Sequence, residues 1–154
     1  NGEEEKTEVE PTKIFGVIKG NKIINNVNLK INATCTRVPI IDGHTAVVSI
    51  SFSRKKPSII DFKEILRSYI SLPQNLNLPS APIKPIHILN DKDRPQPKLD
   101  LKNDKGMALS IGRIQKDLFF DLRFIGLSHN TLRGAAGGAI LNAELLVKKK
   151  YISS

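Results

Sequence analysis

The sequence contains very little cysteine and few aromatic residues. Cys35 is the only cysteine among 154 residues, tryptophan is absent, and there are two tyrosines and six phenylalanines. A lone cysteine excludes an internal disulfide framework and a multi-cysteine zinc site, so we expect no metal centre. The scarcity of aromatic side chains argues against nucleic-acid binding by base stacking.

Long apolar runs are also missing. No segment approaches the ~20 apolar residues of a membrane-spanning helix, and the acidic, polar N-terminus resembles neither a secretory nor a transit peptide. We therefore expect a cytoplasmic protein without a membrane partner, or an organellar one if a targeting segment preceded Asn1. Because the chain opens in a charged run without an initiator methionine, we expect a piece of a longer protein.

The charge is positive and unevenly distributed. Lysine and arginine number 24 against 15 aspartates and glutamates, which gives a formal net charge of +9. Residues 1–10 hold five glutamates and one lysine, so the basic excess lies in the rest of the chain. This balance suits nucleic acid, nucleotide phosphates or phosphorylated metabolites and does not choose among them. A non-catalytic basic nucleic-acid-binding module therefore stays open as an alternative.

Length and hydrophobic periodicity predict one domain with strands and helices in mixed order. Strands are expected at 27–38, 46–52, 85–89, 107–114 and 119–127, the last two forming a hairpin. Helices are expected at 3–15, 58–72 and 131–150. Turns and loops are expected at 16–28, 73–85 and 91–101. This order favours an α+β fold, a mixed β-sheet with helices packed on one face.

Arg37 and His44 lie seven residues apart across a bend that contains proline and glycine. Such a bend lets side chains from two strand ends converge on one pocket. Arginine offers a planar fork for a carboxylate or phosphate, and histidine exchanges a proton near neutral pH. The alternative is a surface arginine and a loop histidine, which the two residues alone favour.

Glu3 and Lys6 are three residues apart, so on a helix they share a face and could point into one site. The alternative, which spacing alone favours, is a solvated helix end with acids near its positive pole.

Residues 129–139 place several small residues at the start of the last helix. Each glycine inside a helix costs ~1 kcal/mol relative to alanine, so Gly137 and Gly138 need a reason. Tight helix packing and the close approach of a ligand to the helix N-terminus remain equal alternatives.

Two further residues have chemical potential. Cys35 lies in an apolar alternating segment, which favours a buried small side chain over a nucleophile. His87 lies in an apolar predicted strand and is interpreted as structural.

Several segments, in their order along the chain, resemble the C-terminal portion of aspartate-semialdehyde dehydrogenases of the archaeal and fungal branch. They are EEEKTEVEPTKIFG at 3–16, CTRVPIIDGH at 35–44, LPSAPIKPI at 78–86, DRPQPKLD at 93–100, SIGRI at 110–114 and LSHNTLRGAAGGAILNAEL at 127–145. The resemblance covers nearly the whole chain. It implies the fold of the C-terminal domain of glyceraldehyde-3-phosphate dehydrogenase.

The resemblance also implies a reaction. Enzymes of this family reduce β-aspartyl phosphate to aspartate semialdehyde with NADPH and release phosphate, through a thioester on a catalytic cysteine. His44 matches the acid/base, Arg37 the clamp on the substrate α-carboxylate, and Glu3 the acid that holds the substrate amine, with Glu4 as an alternative in register. Lys6 matches a phosphate-binding lysine, and Asn130 an amide that contacts the nicotinamide carboxamide.

One departure from the family pattern matters. The family's nucleophile and its glycine-rich nucleotide fingerprint lie upstream of the matching region, and Cys35 does not match that nucleophile. The resemblance thus implies that 1–154 is part of a catalytic and dimerisation domain, inactive alone, with NADP bound mainly by an N-terminal domain. The helix at 131–150 would pack on that domain, and a homodimer or tetramer is implied. A structural dimerisation fragment is the remaining alternative.

Overall fold

Within residues 2–152, which this computed structural model describes, the first element is helix α1 (Glu3–Ile14). It confirms the helix expected at 3–15. A hairpin of β1 (Val17–Lys19) and β2 (Lys22–Ile24) follows, where a turn-rich connector was expected. Its strands are three residues long and fully exposed, so they leave no alternation of apolar residues to detect.

The prediction of a strand at 27–38 is wrong. The segment has no β-ladder, because its backbone amides have other partners. Ala33 N donates to a Glu8 carboxylate oxygen at 2.8 Å, and Cys35 N donates to a Glu4 carboxylate oxygen at 2.8 Å. Residues 2–39 form one compact unit, and residues 40–152 form another.

The second unit is built on a four-stranded sheet. Its strands are β3 (His44–Ile50), β4 (Ile86–Leu89), β5 (Leu109–Lys116) and β6 (Leu122–Ser128). The order is β3-β6-β5-β4, with β4 parallel to β5 and the other pairs antiparallel. The predicted α+β class with a mixed sheet is confirmed, and so is the hairpin of the two strands expected at 107–114 and 119–127.

Helix α2 (Ile59–Ser68) packs on β4 and β5. Ser58 caps it as expected, accepting a hydrogen bond from Asp61 N at 3.0 Å. The helix ends at Ser68, before the expected residue 72, because the backbone becomes extended at Tyr69, and a short helix α3 (Leu72–Asn75) follows with Pro73 in its first turn. Phe62 of α2 contacts two rings of the second unit, those of Phe52 and Phe124.

The C-terminal part of the chain covers the core of the second unit. Helix α4 (Pro97–Asp100) and a 3-10 turn (Asn103–Gly106) precede β5, and a π-helical turn (Leu132–Ala136) leads into α5 (Gly137–Lys148). The hydrophobic core cluster consists of Leu78, Met107 and Leu141.

Helix packing accounts for Gly137. A β-carbon at Gly137 would collide with the sulfur of Met107 and with the carbonyl of Leu132. At this position close packing is therefore the reason for glycine, and no ligand is needed to explain it.

Candidate functional site

Glu3 and Arg37 meet within the first unit. An Arg37 guanidinium nitrogen lies 2.7 Å from a Glu3 carboxylate oxygen. The Arg37 side chain is 77% exposed and the Glu3 side chain 49%. Because water surrounds both groups, this ion pair adds little stability. The exposed pair can instead bind a ligand that carries a positive and a negative group. The Glu3 carboxylate offers a hydrogen-bond acceptor, and the Arg37 guanidinium offers several donors.

Two acids of α1, Glu4 and Glu8, fix the segment that carries Arg37, and sequence reasoning missed this role. Glu4 and Glu8 are four residues apart, about 6 Å along a helix, and Ala33 and Cys35 are two apart, about 6.6 Å along an extended chain. These similar spacings let the two carboxylates accept the two amides. The spacing of Glu4 and Glu8 on one helix face was the available signal.

Cys35 is exposed, so the expectation that it is a buried side chain is wrong. It lines a recess of about 290 Å³ together with Gly2, Glu3, Glu4 and Arg37. The error follows from the missing strand: without a sheet around this segment, its alternating side chains have no core to enter. The recess therefore joins the Glu3–Arg37 pair to the Cys35 thiol.

Lys6 does not line this recess. It lies on α1 three residues after Glu3, so the two side chains share a face of the helix as expected. Within residues 2–152, no hydrogen bond or ion pair involves its ammonium group.

His44 is the first residue of β3, and it lies opposite Ser128 of β6. Its side chain is exposed, and in the described part of the chain no hydrogen bond involves its ring. Gly43, directly before it, has a φ of +105° that an L side chain rarely adopts. The position of the imidazole therefore depends on the backbone of His44 and not on a hydrogen bond of the ring.

Asn130 contacts the backbone next to His44. Its side-chain oxygen accepts a hydrogen bond from Gly43 N at 2.9 Å. Because an amide nitrogen cannot accept that bond, the contact settles which way the carboxamide faces. The structure thus brings Asn130 and His44 together in the second unit, as it brings Glu3 and Arg37 together in the first.

His129 orders the turn that carries Asn130, and sequence reasoning gave it no role. Its side chain is buried. Its Nδ1 lies 3.3 Å from Thr131 N and 3.4 Å from Leu132 N, so it accepts backbone hydrogen bonds at the start of the last helical segment. The signal was a polar residue directly before a helix, a position where such caps are common.

Two aspartates with hydrogen-bonded carboxylates lie outside these candidate residues: Asp100 is buried and Asp104 is partly buried. Asp100 accepts hydrogen bonds from Arg94, one of them at 2.7 Å, and from Gln96 N at 2.6 Å. Asp104 pairs with His87, which agrees with the structural interpretation of that histidine. Burial acts to raise the pKa of Asp104, but hydrogen bonds from His87 and from the Ile83 amide outweigh it, so the pKa is lowered.

Comparison with known proteins decides the family. The model of the semialdehyde dehydrogenase dimerisation domain matches residues 1–133. The chain belongs to this family. The resemblance noted on the sequence motifs is thereby confirmed.

Relatives of this dimerisation domain are aspartate-semialdehyde dehydrogenases. That of Schizosaccharomyces pombe is 47% identical over 96% of the chain and 42% of its own length. That of Archaeoglobus fulgidus is 46% identical over 98% of the chain and 42% of its own length. The chain thus spans less than half the length of the curated relatives it matches, and corresponds to their C-terminal portion.

A solved structure confirms the fold. The aspartate-semialdehyde dehydrogenase of Candida albicans, determined with NADP, superimposes with a TM-score of 0.90 at 43% identity, covering 99% of this chain and 44% of that one. A nucleic-acid-binding module is not favoured by any of these likenesses.

No helix in 2–152 is long and apolar enough to cross a membrane. In the same range, no three or more His, Cys, Asp or Glu side chains are grouped so as to hold a metal ion.

Proposed function

We propose that this semialdehyde dehydrogenase domain is the substrate-binding and dimerisation portion of an NADP-dependent aspartate-semialdehyde dehydrogenase. The whole enzyme would reduce β-aspartyl phosphate to aspartate semialdehyde in the biosynthesis of lysine, threonine and methionine. The observation that carries the proposal is the exposed Glu3–Arg37 pair, in a chain whose relatives bear that enzyme's name.

The pair is complementary to the amino-acid end of such a substrate. A guanidinium binds a carboxylate through two parallel hydrogen bonds, and Arg37 uses one nitrogen on Glu3 while its other donors remain. Glu3 can accept a hydrogen bond from the substrate ammonium. Glu3 lies beside Arg37, the residue assigned to the substrate carboxylate, whereas Glu4 holds the backbone at Cys35 N. We therefore assign the ammonium to Glu3 and not to Glu4.

Lys6 is assigned to the phosphate. A lysine ammonium binds phosphate as a point charge and needs no fixed planar geometry. Its place on the same face of α1 as Glu3 suits a substrate that carries its ammonium and phosphate groups at opposite ends.

His44 is assigned as the acid/base. An exposed imidazole without a hydrogen-bonded partner is available to take a proton from a thiol and to return one to a developing oxyanion. The nucleophilic thiol would come from the N-terminal portion of the enzyme, and Cys35 is not assigned this role. We therefore expect residues 1–154 alone to show no turnover.

The cofactor contact is assigned to Asn130. NADPH supplies the hydride of this reaction. The oxygen of Asn130 accepts Gly43 N, and its two N–H groups remain as donors for a ligand. These donors suit the carbonyl oxygen of a nicotinamide carboxamide, so the residue fits the group.

The proposed assembly is a homodimer or tetramer in the cytoplasm, completed by the N-terminal portion of the enzyme. Helix α5 supports the proposed contact with the N-terminal portion of the enzyme. Leu141 is buried in the core, whereas Ile140 remains 54% exposed, so the helix offers apolar surface to a further domain.

The test joins this chain to the N-terminal portion of the Schizosaccharomyces pombe relative. The chimera should reduce NADP in the presence of aspartate semialdehyde and phosphate, and the rate should depend on phosphate. An absence of phosphate-dependent reduction in a folded chimera would contradict the proposal.

Changing His44 to Asn in the chimera should lower kcat by roughly 10²–10⁴-fold, the range typical for loss of a general acid/base. Thr45→Ala is the matched control, because successive side chains of a strand point to opposite faces and Thr45 is also exposed. Equal rates for the two variants would remove His44 from the mechanism.

A further inference from the structure

We propose that Asn130 is a positioning residue for His44, which it holds through the backbone of Gly43, in addition to any contact with the cofactor. The inference rests on the proposed function for its kinetic consequence, and on the Asn130–Gly43 hydrogen bond for its structural basis.

The bond acts as an additional rung of the β3–β6 ladder. The backbone pairing of these strands runs from Ile50 opposite Leu122 to His44 opposite Ser128 and goes no further. One residue beyond His44, Gly43 N donates to a side-chain oxygen two residues beyond Ser128. The side chain of Asn130 thus takes the place of a backbone carbonyl at the end of the ladder.

This rung lies at the junction between an irregular segment and the sheet. Residues 41 and 42 form bends without regular secondary structure. Gly43 adopts a φ of +105°, and a β-carbon there would lie 2.9 Å from a methyl carbon of Leu101. Without the rung, the ladder would end at His44, and strand ends fray first.

The segment that carries Asn130, the acceptor of this hydrogen bond, is held by several contacts. Buried His129 accepts hydrogen bonds from the backbone of Thr131 and Leu132, and a β-carbon at Gly106 would lie 2.9 Å from the His129 ring. The turn that carries Asn130 is thus fixed by the hydrogen bonds of His129 and by the packing of its ring against Gly106. His44, in contrast, makes no hydrogen bond through its ring among the described residues, so its placement depends on its backbone, which pairs with Ser128 and directly follows Gly43.

Two variants separate positioning from cofactor contact. Asn130→Asp keeps an oxygen that accepts Gly43 N but loses the N–H donors, whereas Asn130→Ala loses both. Asn103→Ala is the matched control, since Asn103 also makes one side-chain hydrogen bond in the second unit, to Ser110 at 3.0 Å, and plays no part in the proposed site.

The first readout is amide hydrogen exchange at Gly43, measured by NMR on the 154-residue chain. Asn130→Ala should speed the exchange roughly tenfold, the effect of losing one hydrogen bond. Asn130→Asp should restore most of the protection, and Asn103→Ala should leave it unchanged. Unchanged protection in Asn130→Ala would overturn the proposal, whatever the enzyme assays show.

The second readout is the kinetics of the chimera described above. Asn130→Ala should lower kcat about tenfold and raise the KM for NADP, because it loses both functions. Asn130→Asp should raise the KM for NADP but recover kcat relative to Asn130→Ala. Identical kinetic losses in the two variants would reduce Asn130 to a cofactor contact and overturn the positioning role. An inactive unsubstituted chimera would contradict the proposed function only, and Gly43 exchange would still decide the inference.

Discussion

The two units of the chain hold their candidate site residues by different means. In 2–39 no described residue is buried, and Arg37 is placed by an ion pair with Glu3 and by carboxylates that accept the amides of its segment. In 40–152, His44 and Asn130 lie at the ends of elements that belong to a sheet with a hydrophobic core.

This difference suits the proposed division of labour. Groups that bind a charged substrate gain from exposure and from polar neighbours, since the ligand replaces water around them. A proton-transfer group needs a constant position, which packed elements provide at lower entropic cost than exposed chains. A substitution in the core of the second unit should therefore destabilise that whole unit. A substitution in the first unit should change only the contacts near it.

The largest effect is expected from Leu141→Ala. Leu141 is 6% exposed in the core cluster with Leu78 and Met107, and truncating such a leucine costs about 2–4 kcal/mol of unfolding free energy. Ile14→Ala in α1 is the matched control, since Ile14 is 75% exposed. Urea unfolding followed by far-UV circular dichroism measures both. Equal losses for the two variants would break the comparison.

The next effect is the pH-dependent contribution of Asp100. Hydrogen bonds from Arg94 lower the pKa of Asp100, burial opposes the shift, and a bond from Gln96 N adds to it. A lowered pKa in the folded state stabilises the fold above the ordinary carboxyl value of about 3.9. This stabilisation is lost as the pH falls through the folded-state pKa.

Asp100→Asn should therefore reduce the unfolding free energy by about 2 kcal/mol at pH 7, and the difference from the unsubstituted chain should shrink below about pH 4. Asp93→Asn serves as the control, because Asp93 is exposed and, in the described part of the chain, its carboxylate accepts a hydrogen bond only from Gln96, at 2.9 Å. Urea unfolding at pH 7 and pH 3 provides the measurement. A loss for Asp100→Asn that is the same at both pH values would refute the assignment.

The sequence predicted the second unit better than the first. In β3 the less exposed positions, Val48 and Ile50, lie two residues apart, and Ser58 caps α2 through contacts within four residues. Periodicity detects both kinds of feature. The contacts of the first unit join α1 to residues 24 or more positions away through side chains, and no periodic pattern encodes them.

The same reason explains which site residues were found. Glu3, Lys6, Arg37, His44 and Asn130 came from motifs that resemble a known family, and their assigned roles stay predictions. Glu4 and Glu8, which hold the backbone near Arg37, and His129, which caps a helical turn, act on the backbone. Roles of that kind need coordinates, because any nearby amide can serve as the partner.

A smaller effect is expected from Arg37→Lys in the chimera. An ammonium cannot make the two parallel hydrogen bonds of a guanidinium, so the KM for aspartate semialdehyde should rise about tenfold with kcat little changed. Arg123→Lys should leave both constants unchanged, because among the described residues the Arg123 guanidinium donates only to Gln115, at 3.2 Å. A fall in kcat at constant KM would instead place Arg37 in the chemical step.

The smallest effect is expected from Glu8→Ala. Loss of one exposed carboxylate should change the unfolding free energy by less than about 1 kcal/mol, yet it should speed hydrogen exchange at the Ala33 amide, measured by NMR. Glu10→Ala is the control, since no hydrogen bond from the described residues reaches Glu10.

The double variant Glu4→Ala/Glu8→Ala sharpens the test. Glu8→Ala alone leaves Cys35 N bonded to Glu4, and Glu4→Ala alone leaves Ala33 N bonded to Glu8. If the two carboxylates hold the segment together, the remaining bond limits the effect of each single variant. The double variant should then speed exchange at both amides by more than the product of the single effects. Simple additivity would mean that each carboxylate fixes only its own amide, and the placement of the Arg37 segment would need another cause.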